Sequence, residues 1–411
     1  MREPAVNTAQ PRQDIRTSSP LSAWLGRHAN RVFVDGSHDA ATEASVTTRE
    51  IERRPSAHLH RVTMTQGQRS AAVMIKARPA ALVDRFPTPP GHWALFTGPS
   101  WVPAPPFERR SELEFDALHA IDEHFRGLDD SRFTTVRPIS LEPSRSAFAM
   151  AELEGMPLDR LLAVAGSIGV SDDDDSVSTT LLESAGAWLA QYHELPLAPI
   201  HHQTREELID ALRLTASELP RGFTPARPIR ELCERTIGFI ESQLPEVLPT
   251  GLTHGDFWSG NVLVDAVGRV AVIDTFAASR TPIFEDLAYF IFQLKTPNLR
   301  GPARISARTL AREQRFLEGY FAGAEIPLAT LRIFELCVLI RKWAGRCHRC
   351  FQQSGAKQIW KRVRLQRQAR SLTDIAAWLI DSLREQASAE AASAASPPGK
   401  PSSAARARHG E

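Results

Sequence analysis

Residues 254–274 read His254-Gly255-Asp256-Phe257-Trp258-Ser259-Gly260-Asn261, followed by Val262-Leu263-Val264, a turn at Asp265 to Gly268, and Val270-Ala271-Val272-Ile273-Asp274. Two short apolar runs on either side of a turn are typical of a β-hairpin. Antiparallel strands bring the residue that enters the first strand beside the residue that leaves the second. We therefore expect Asn261 and Asp274 to lie side by side.

Three side chains of this stretch carry oxygen chemistry. The amide of Asn261 and the carboxylate of Asp274 suit Mg²⁺, a hard cation that binds through one or two carboxylates plus substrate phosphates. Asp256, just upstream, is then expected beside a transferring phosphoryl group, where it would accept the proton of a hydroxyl. This spacing predicts a catalytic Asp256 and a metal held by Asn261 and Asp274.

The pattern H-G-D-x-x-x-x-N, a hairpin and then I-D resembles the aminoglycoside phosphotransferase and choline kinase family. Glu285-Asp286-Leu287-Ala288 is similar to the family's D-L-A helix start, Leu189-Ala190-Gln191-Tyr192-His193 to its L-x-x-x-H helix, and residues 150–158 to its hinge. The likeness covers about residues 45–300. It implies an α+β, two-lobed protein-kinase-like fold, with a small antiparallel β-rich N-terminal lobe and a larger, mainly α-helical C-terminal lobe.

The resemblance also implies ligands and roles. The cofactors would be ATP, or GTP, together with Mg²⁺. Met150, Glu152 and Leu153 would contact the nucleotide at the hinge. Asp286 would brace the catalytic loop, and His254 would support it structurally.

The N-terminal half contains a second predicted hairpin, in which apolar runs between residues 59 and 75 are separated by Thr65-Gln66-Gly67-Gln68. Val73-Met74-Ile75-Lys76 resembles the strand whose lysine contacts the α- and β-phosphates. Its partner would be an acidic residue on the following helix. Glu114 is preferred because apolar residues follow it at the i+4 and i+7 positions that the family favours, and Glu112 is the competing candidate.

Some positions depart from the family pattern. Kinases cover the phosphates with a glycine-rich loop, but residues 52–58 read Glu52-Arg53-Arg54-Pro55-Ser56-Ala57-His58, without a glycine. Either Ser56 and backbone amides bind the phosphates instead, or nucleotide binding is weak. Ser259 stands where the family often has proline, and Thr275 where it often has an aromatic residue. None of these changes removes a reacting group.

A chain of 411 residues is long enough for two packed lobes. We predict a disordered N-terminal segment at 1–20 and a nucleotide-binding lobe at 21–150, with a Pro-rich insertion at about 79–110. A C-terminal catalytic and acceptor-binding lobe follows at 151–387, with helix breaks near Pro327 and Gly355. Residues 388–411 are Ala, Ser, Pro and Gly-rich, so they cannot offset the entropy of ordering and are predicted to form a disordered tail.

Composition argues against several protein classes. Forty-nine basic and 48 acidic residues give a net charge of +1, so no specific nucleic-acid partner is predicted. No apolar run reaches the roughly 18 residues that span a bilayer, and the N-terminus lacks the apolar core of a secretory signal peptide. Four cysteines are too few for a disulfide framework in a chain of this size. These features predict a cytoplasmic protein without a transmembrane segment.

The charge between Pro327 and Arg370 is one-sided. Its basic residues are Arg332, Arg341, Lys342, Arg346, Arg349, Lys357, Lys361, Arg362, Arg364, Arg367 and Arg370, and its one acidic residue is Glu335. A solvated helical face is the plain interpretation. A docking surface for an anionic acceptor, formed by Arg341, Lys342, Arg346 and Arg349, is the functional one, and nucleic acid is a third.

Two functional hypotheses follow from these observations. The first is an ATP-dependent phosphotransferase that transfers the γ-phosphate to a hydroxyl of a small molecule or glycan. The second is a catalytically silent kinase-fold binding or scaffold protein, which the missing glycine loop and the long insertion favour. The intact set of Asp256, Asn261 and Asp274 favours the first.

Overall fold

The computed structural model describes residues 20–33, 45–54, 57–78, 106–165, 172–198, 204–219, 223–277, 279–296, 305–351 and 355–395. The chain divides into two compact units. The first comprises Met1–Thr204, Val247–Pro297 and Ile305–Ile326, and the second comprises Arg205–Glu246, Asn298–Arg304 and Pro327–Glu411. The predicted lobe boundary between residues 150 and 151 therefore falls inside the first unit.

A five-stranded antiparallel sheet, ordered β1-β2-β3-β5-β4, dominates the N-terminal part of the first unit. Its strands are β1 Ser45–Arg54, β2 Ala57–Gln66, β3 Arg69–Ala77, β4 Pro138–Leu141 and β5 Ala147–Ala151. Gly67 and Gln68 form the turn between β2 and β3, and Gly67 has a φ of 60°, which glycine adopts at little cost. The hairpin predicted for this segment is confirmed.

The period of two along β3 separates core residues from site residues. Val73 and Ile75 are fully buried in an apolar cluster with Trp24 and Leu25, which belong to the short helix Pro20–Gly26. A further short helix spans Ala29–Val32. Since successive side chains of a strand point to opposite faces, Lys76 lies on the face opposite to this core.

The helix Arg110–Gly127 follows a 3₁₀ turn at Phe107–Arg109. Its residue Leu118 packs with Val136 and Phe148 in a second apolar cluster. The last residues of the predicted Pro-rich insertion, placed at about 79–110, therefore already belong to this turn and helix. Residues 79–105 of that insertion, and residues 1–19, lie outside the described part of the chain.

The rest of the first unit combines helices with two small antiparallel sheets. The helices are Leu158–Ala165, Asp172–His193, Phe284–Lys295 and Ala307–Phe321. One sheet pairs β7 Thr250–Leu252 with β10 Arg280–Pro282, and the other joins β6 Gly155–Pro157, β8 Val262–Asp265 and β9 Val270–Val272 in the order β6-β8-β9. The predicted hairpin is thus β8 and β9.

Two glycines set the distance between two of these helices. A Cβ atom at Gly186, on the helix Asp172–His193, would lie 2.0 Å from the carbonyl oxygen of Phe316. A Cβ atom at Gly319, on the helix Ala307–Phe321, would lie 2.0 Å from the carbonyl oxygen of Glu183. Each glycine therefore lies directly against the backbone of the other helix.

All regular secondary structure in the described residues of the second unit is helical. Its α-helices are Arg205–Glu218, Arg227–Gln243, Leu328–Phe351 and Gly355–Ala395, with a 3₁₀ turn at Thr224–Ala226. Helix boundaries at Leu328 and Gly355 confirm the two breaks predicted nearby. The last helix continues to Ala395, so residues 388–395 are helical and the predicted tail boundary was placed too early. Residues 396–411 lie outside the described part.

The four cysteines all lie in the described residues, where they are buried and form no disulfide. Within the described residues, none of the helices combines the length and the apolar character that crossing a lipid bilayer requires.

The glycine contact predicts a specific cost of adding one methyl group. We expect Gly186→Ala to lower the free energy of unfolding by about 1–3 kcal/mol, because the new Cβ must push two helix backbones apart. Gly238→Ala is the matched control. An added Cβ atom at Gly238, in the helix Arg227–Gln243, would have no neighbouring atom within 4 Å, so alanine there should stabilise by about 0.5–1 kcal/mol. Calorimetric melting of Gly186→Ala at or above the wild-type temperature would contradict the contact.

Candidate functional site

Lys76 at the end of β3 forms a buried ion pair with Glu114 on the helix Arg110–Gly127. The Lys76 Nζ atom lies 2.6 Å from Glu114 Oε1, and the two residues are 5% and 1% exposed. Glu112, the competing candidate, instead bonds Arg145 at 2.5 Å. The structure thus brings Lys76 together with Glu114 and leaves Glu112 at a different contact.

Lys76 also reaches the end of the β8–β9 hairpin. Its Nζ atom lies 2.6 Å from Asp274 Oδ1. Asp274 has a φ of 67°, a left-handed conformation that is costly for residues other than glycine and that concentrates at functional sites. One ammonium group therefore connects the sheet, the helix and the residue predicted to hold the metal.

The hairpin register places Asn261 beside Asp274 as the sequence predicts. Val262 pairs with Val272, and the backbone N–H of Ile273 donates to the carbonyl oxygen of Asn261 at 3.1 Å. The ladder ends there, one residue before Asp274. The two predicted ligands consequently flank the same end of the hairpin.

The amide of Asn261 closes the loop formed by residues 254–261. Its Nδ2 atom donates to the Asp256 carbonyl oxygen at 2.9 Å and lies 3.3 Å from Asp256 Oδ2. Since both partners are acceptors, the NH₂ group of the amide must face them, and Oδ1 is the end left for a cation. This oxygen and the Asp274 carboxylate are the hard donors that Mg²⁺ prefers, so the residues present fit that metal.

His254 holds the loop as a neutral ring. Burial lowers the pKa of His254 and outweighs the negative charges of Asp286 and Asp256, which act to raise it. Its Nε2–H donates to the Ile273 carbonyl oxygen at 3.1 Å, and its Nδ1 atom accepts the backbone N–H of Asp256 at 3.2 Å. A proton on Nδ1 would face that N–H, so the neutral tautomer is the one that keeps the backbone of Asp256 in place.

Asp286 accepts hydrogen bonds from two successive backbone groups of the loop. The N–H of His254 lies 2.7 Å from Oδ2, and the N–H of Gly255 lies 2.9 Å from Oδ1. His193 Nε2 lies 3.3 Å from the same carboxylate, and its Nδ1 lies 2.8 Å from the Tyr320 hydroxyl. Sequence reasoning gave His193 no role, although the L-x-x-x-H pattern marked it. Asp286 is thus hydrogen-bonded to the start of the loop that it is predicted to brace.

An aromatic stack packs beneath the loop. Phe257 is fully buried and lies 5.2 Å from Phe290 and 6.2 Å from Trp188, ring centre to ring centre. Trp188 in turn stacks on Tyr192 at 5.2 Å. The Tyr192 hydroxyl lies 2.6 Å from Thr275 Oγ1. Thr275, which replaces an aromatic residue of the family pattern, therefore anchors the segment after Asp274 by a buried hydrogen bond.

The hinge supplies an apolar wall next to these polar groups. Met150, Leu153 and Ile273 are partly buried against the cluster that contains Phe148. Apolar side chains that are only partly covered suit the flat face of a nucleotide base. The side chain of Glu152 bonds Arg61 at 2.8 Å, so of the three predicted hinge contacts, Met150 and Leu153 offer the apolar surface.

The predicted phosphate loop lies between β1 and β2. β1 and β2 stay paired up to Arg54 and Ala57, which leaves residues 55 and 56 between them. Ser56, the predicted substitute for the glycines, lies outside the described residues.

The four predicted acceptor contacts differ in exposure. All lie on the helix Leu328–Phe351 of the second unit. Arg341 is fully buried, Lys342 and Arg346 are half-buried, and Arg349 is exposed. From the sequence, all four residues are predicted to form one docking surface. Burial removes Arg341 from any surface that a dissolved acceptor could reach.

The bracing carboxylate gives a test that needs no substrate. Asp286→Asn replaces one acceptor oxygen with an NH₂ group, so one backbone N–H of the loop would face a donor. We expect the free energy of unfolding to fall by about 1–3 kcal/mol and the amides of His254 and Gly255 to exchange hydrogen faster. Asp381→Asn, at an exposed acid on the last helix, is the control. Unchanged exchange at His254 and Gly255 in Asp286→Asn would be inconsistent with the brace.

Comparison with known proteins places this site in a family. No curated protein sequence matches the chain. Among solved structures, a protein from Ralstonia eutropha JMP134, whose name assigns it provisionally to the aminoglycoside phosphotransferases, is 14% identical, with a TM-score of 0.54 over 87% of this chain and 97% of that one. Macrolide 2′-phosphotransferase MphH from Brachybacterium faecium is 16% identical, with a TM-score of 0.47 over 84% of this chain and 97% of its own.

A choline/ethanolamine kinase family protein from Mesorhizobium loti is 10% identical, with a TM-score of 0.46 over 86% of this chain and 97% of that one. The likeness to the Ralstonia protein confirms the predicted α+β kinase-like fold. The model of the phosphotransferase enzyme family matches residues 70–334, more than half of the chain, and that match confirms the predicted resemblance. The chain belongs to the phosphotransferase enzyme family.

Proposed function

We propose that the protein is a Mg²⁺-dependent phosphotransferase that moves the γ-phosphate of ATP to a hydroxyl group of a small molecule or glycan. The observation that carries this proposal is a single bonded set of reactive groups. Asp256, Asn261, Asp274 and Lys76 are joined through contacts of 2.6–3.3 Å and through the hairpin ladder. Family membership supports the phosphotransferase class. The identity of the acceptor is part of our proposal and does not follow from family membership.

Asp256 is the proposed general base. Its backbone N–H is held by His254 and its carboxylate lies against the amide of Asn261, so the carboxylate has a defined orientation before a substrate arrives. A carboxylate fixed in this way can accept the proton of an attacking hydroxyl and position its oxygen. Asp256 is only partly buried, which leaves it accessible to an acceptor.

Asn261 and Asp274 are the proposed metal ligands, through Asn261 Oδ1 and the Asp274 carboxylate. Mg²⁺ held there would neutralise charge that develops on the phosphates. Lys76 is proposed to bind the phosphates, and Glu114 to orient Lys76. Met150 and Leu153 would cover the base, while Glu152 contributes through the backbone of the hinge. These contacts do not distinguish ATP from GTP.

The acceptor is proposed to be anionic, such as a phosphorylated or carboxylated sugar. Arg349 is exposed, and Lys342 and Arg346 are partly exposed on the same helix. Carboxylates, not arginines, would suit a polycationic aminoglycoside. Four cysteines that form no disulfide are compatible with the cytoplasm as the proposed location.

The catalytic assignment is tested by Asp256→Asn. We expect kcat to fall by about 100- to 10,000-fold while the Kd for ATP stays within about twofold, because the carboxylate supplies proton transfer rather than nucleotide binding. Turnover is measured as phosphate transfer or ATP hydrolysis, and affinity by calorimetry. A variant with wild-type turnover would show that another group is the base. A wild-type protein that binds ATP and Mg²⁺ but never consumes ATP would favour the silent binding protein.

The acceptor assignment is tested by Arg349→Glu. We expect the KM for an anionic sugar to rise by about two- to fivefold with little change in kcat, because a partly exposed charge pair contributes equally to the ground state and the transition state. Raising the salt concentration should raise the wild-type KM as well. Arg384→Glu, at an exposed arginine of the last helix, is the control. Efficient phosphorylation of cationic acceptors, or a wild-type KM independent of salt, contradicts the proposal.

A further inference from the structure

Arg78 shares the carboxylate that orients Lys76. Its Nη2 group bonds Glu114 Oε2, while Lys76 bonds Glu114 Oε1. Its Nη1 group lies 3.1 Å from Ser111 Oγ, one turn earlier on the same helix. Arg78 is 5% exposed, so this guanidinium is built into the protein interior.

The charges around Glu114 do not cancel in a simple pair. Lys76 and Arg78 each carry a positive charge and share one negative charge, which leaves a net charge of +1 on these three residues. Asp274 brings the sum to zero through its contact with Lys76. If Asp274 serves the metal, the three remaining residues present one uncompensated positive charge in a buried setting, where electrostatic interactions are stronger than in water.

A second arginine lies near this positive charge. Arg78 lies 5.6 Å from the ring of Phe276, two residues after Asp274, and Arg110 lies 5.9 Å from the same ring. Burial, followed by the charge of Arg78, lowers the pKa of Arg110. Arg78 therefore contacts both the helix that holds Glu114 and the segment that follows the proposed metal ligand.

The sequence of the predicted phosphate loop suggests how this positive charge could assist nucleotide binding. A glycine-rich loop binds phosphates through closely approaching backbone N–H groups, but residues 52–58 contain no glycine. Side-chain charge is the alternative means of attracting a polyphosphate. Lys76 and Glu114 alone would form a neutral pair. Arg78 adds a second positive charge, so the group of three residues carries a net charge of +1.

We propose that Arg78 is a positioning residue that makes the Lys76–Glu114 pair net cationic and so compensates for the lack of glycine in the predicted phosphate loop. Arg78 acts through Glu114 and need not touch the nucleotide. This inference rests on the proposed function, because it assumes that Lys76 faces the phosphates. According to this inference, the affinity for a nucleotide comes mainly from attraction between this cationic group and the phosphates, and less from contacts with the base.

The test compares ligands that differ in charge. The Kd values of ATP, ADP and adenosine are measured by calorimetry in the presence of Mg²⁺ for the wild type, Arg78→Gln and Arg78→Lys. We expect Arg78→Gln to weaken ATP binding about tenfold, to weaken ADP binding less, and to leave adenosine binding unchanged. Arg78→Lys should recover most of the preference for ATP over adenosine, since it keeps the charge. A defect confined to packing would weaken all three ligands alike.

Arg145→Gln is the matched control, because it removes an exposed arginine from Glu112 on the same helix. It should change none of the three affinities. Arg78→Gln leaves a buried carboxylate with one cation and could unfold the protein, so Arg78→Met, which fills a similar space without a charge or a hydrogen-bonding group, is measured too. We expect Arg78→Met to lose the preference for ATP over adenosine to the same extent as Arg78→Gln.

The outcomes separate this inference from the function on which it rests. A wild type that binds no ATP would overturn the proposed function and the inference together. A wild type that binds ATP, with an unchanged ATP preference in Arg78→Gln or in Arg78→Met, would overturn the inference alone. A loss of the ATP preference in Arg78→Gln and Arg78→Met, with recovery in Arg78→Lys, supports it.

Discussion

The two oxygens of the Asp286 carboxylate are the constraint on which the site depends. A loop outside a regular sheet keeps one conformation only if its buried backbone groups are paired. Asp286 pairs the N–H groups of His254 and Gly255 at once, and His193 holds the carboxylate from behind. Because the start of the loop is fixed in this way, the hydrogen bonds of Asn261 can place Asp256 relative to the hairpin.

The hairpin was predictable because its geometry is local. Pairing of Val262 with Val272 follows from two apolar runs and a turn, and the meeting of Asn261 with Asp274 follows from the pairing. The contact of Lys76 with its acid was predictable for another reason. A family pattern fixes which helix supplies the partner, although residue spacing alone left two glutamates open.

Features that depend on contacts distant in sequence were not predictable. Gly186 and Gly319 resemble ordinary helix glycines until two backbones are brought together. Arg78 follows Lys76 by two residues, and alternation along a strand could have suggested a shared face, but nothing in the sequence says that both bind one carboxylate. Arg341 reads as a solvated arginine because burial depends on packing that a charge count does not contain.

The β8–β9 hairpin has a tip that tolerates changes in length and two strands whose length must stay constant. The distance between Asn261 and Asp274 is set across the strands by register, not along the chain by length. Residues added at the tip, where Val267 is 77% exposed and Gly268 has a φ of 87°, leave that register intact. One residue removed from either strand would invert every side chain beyond it. The tip is thus a natural point for grafting a peptide tag or a reporter into the first unit.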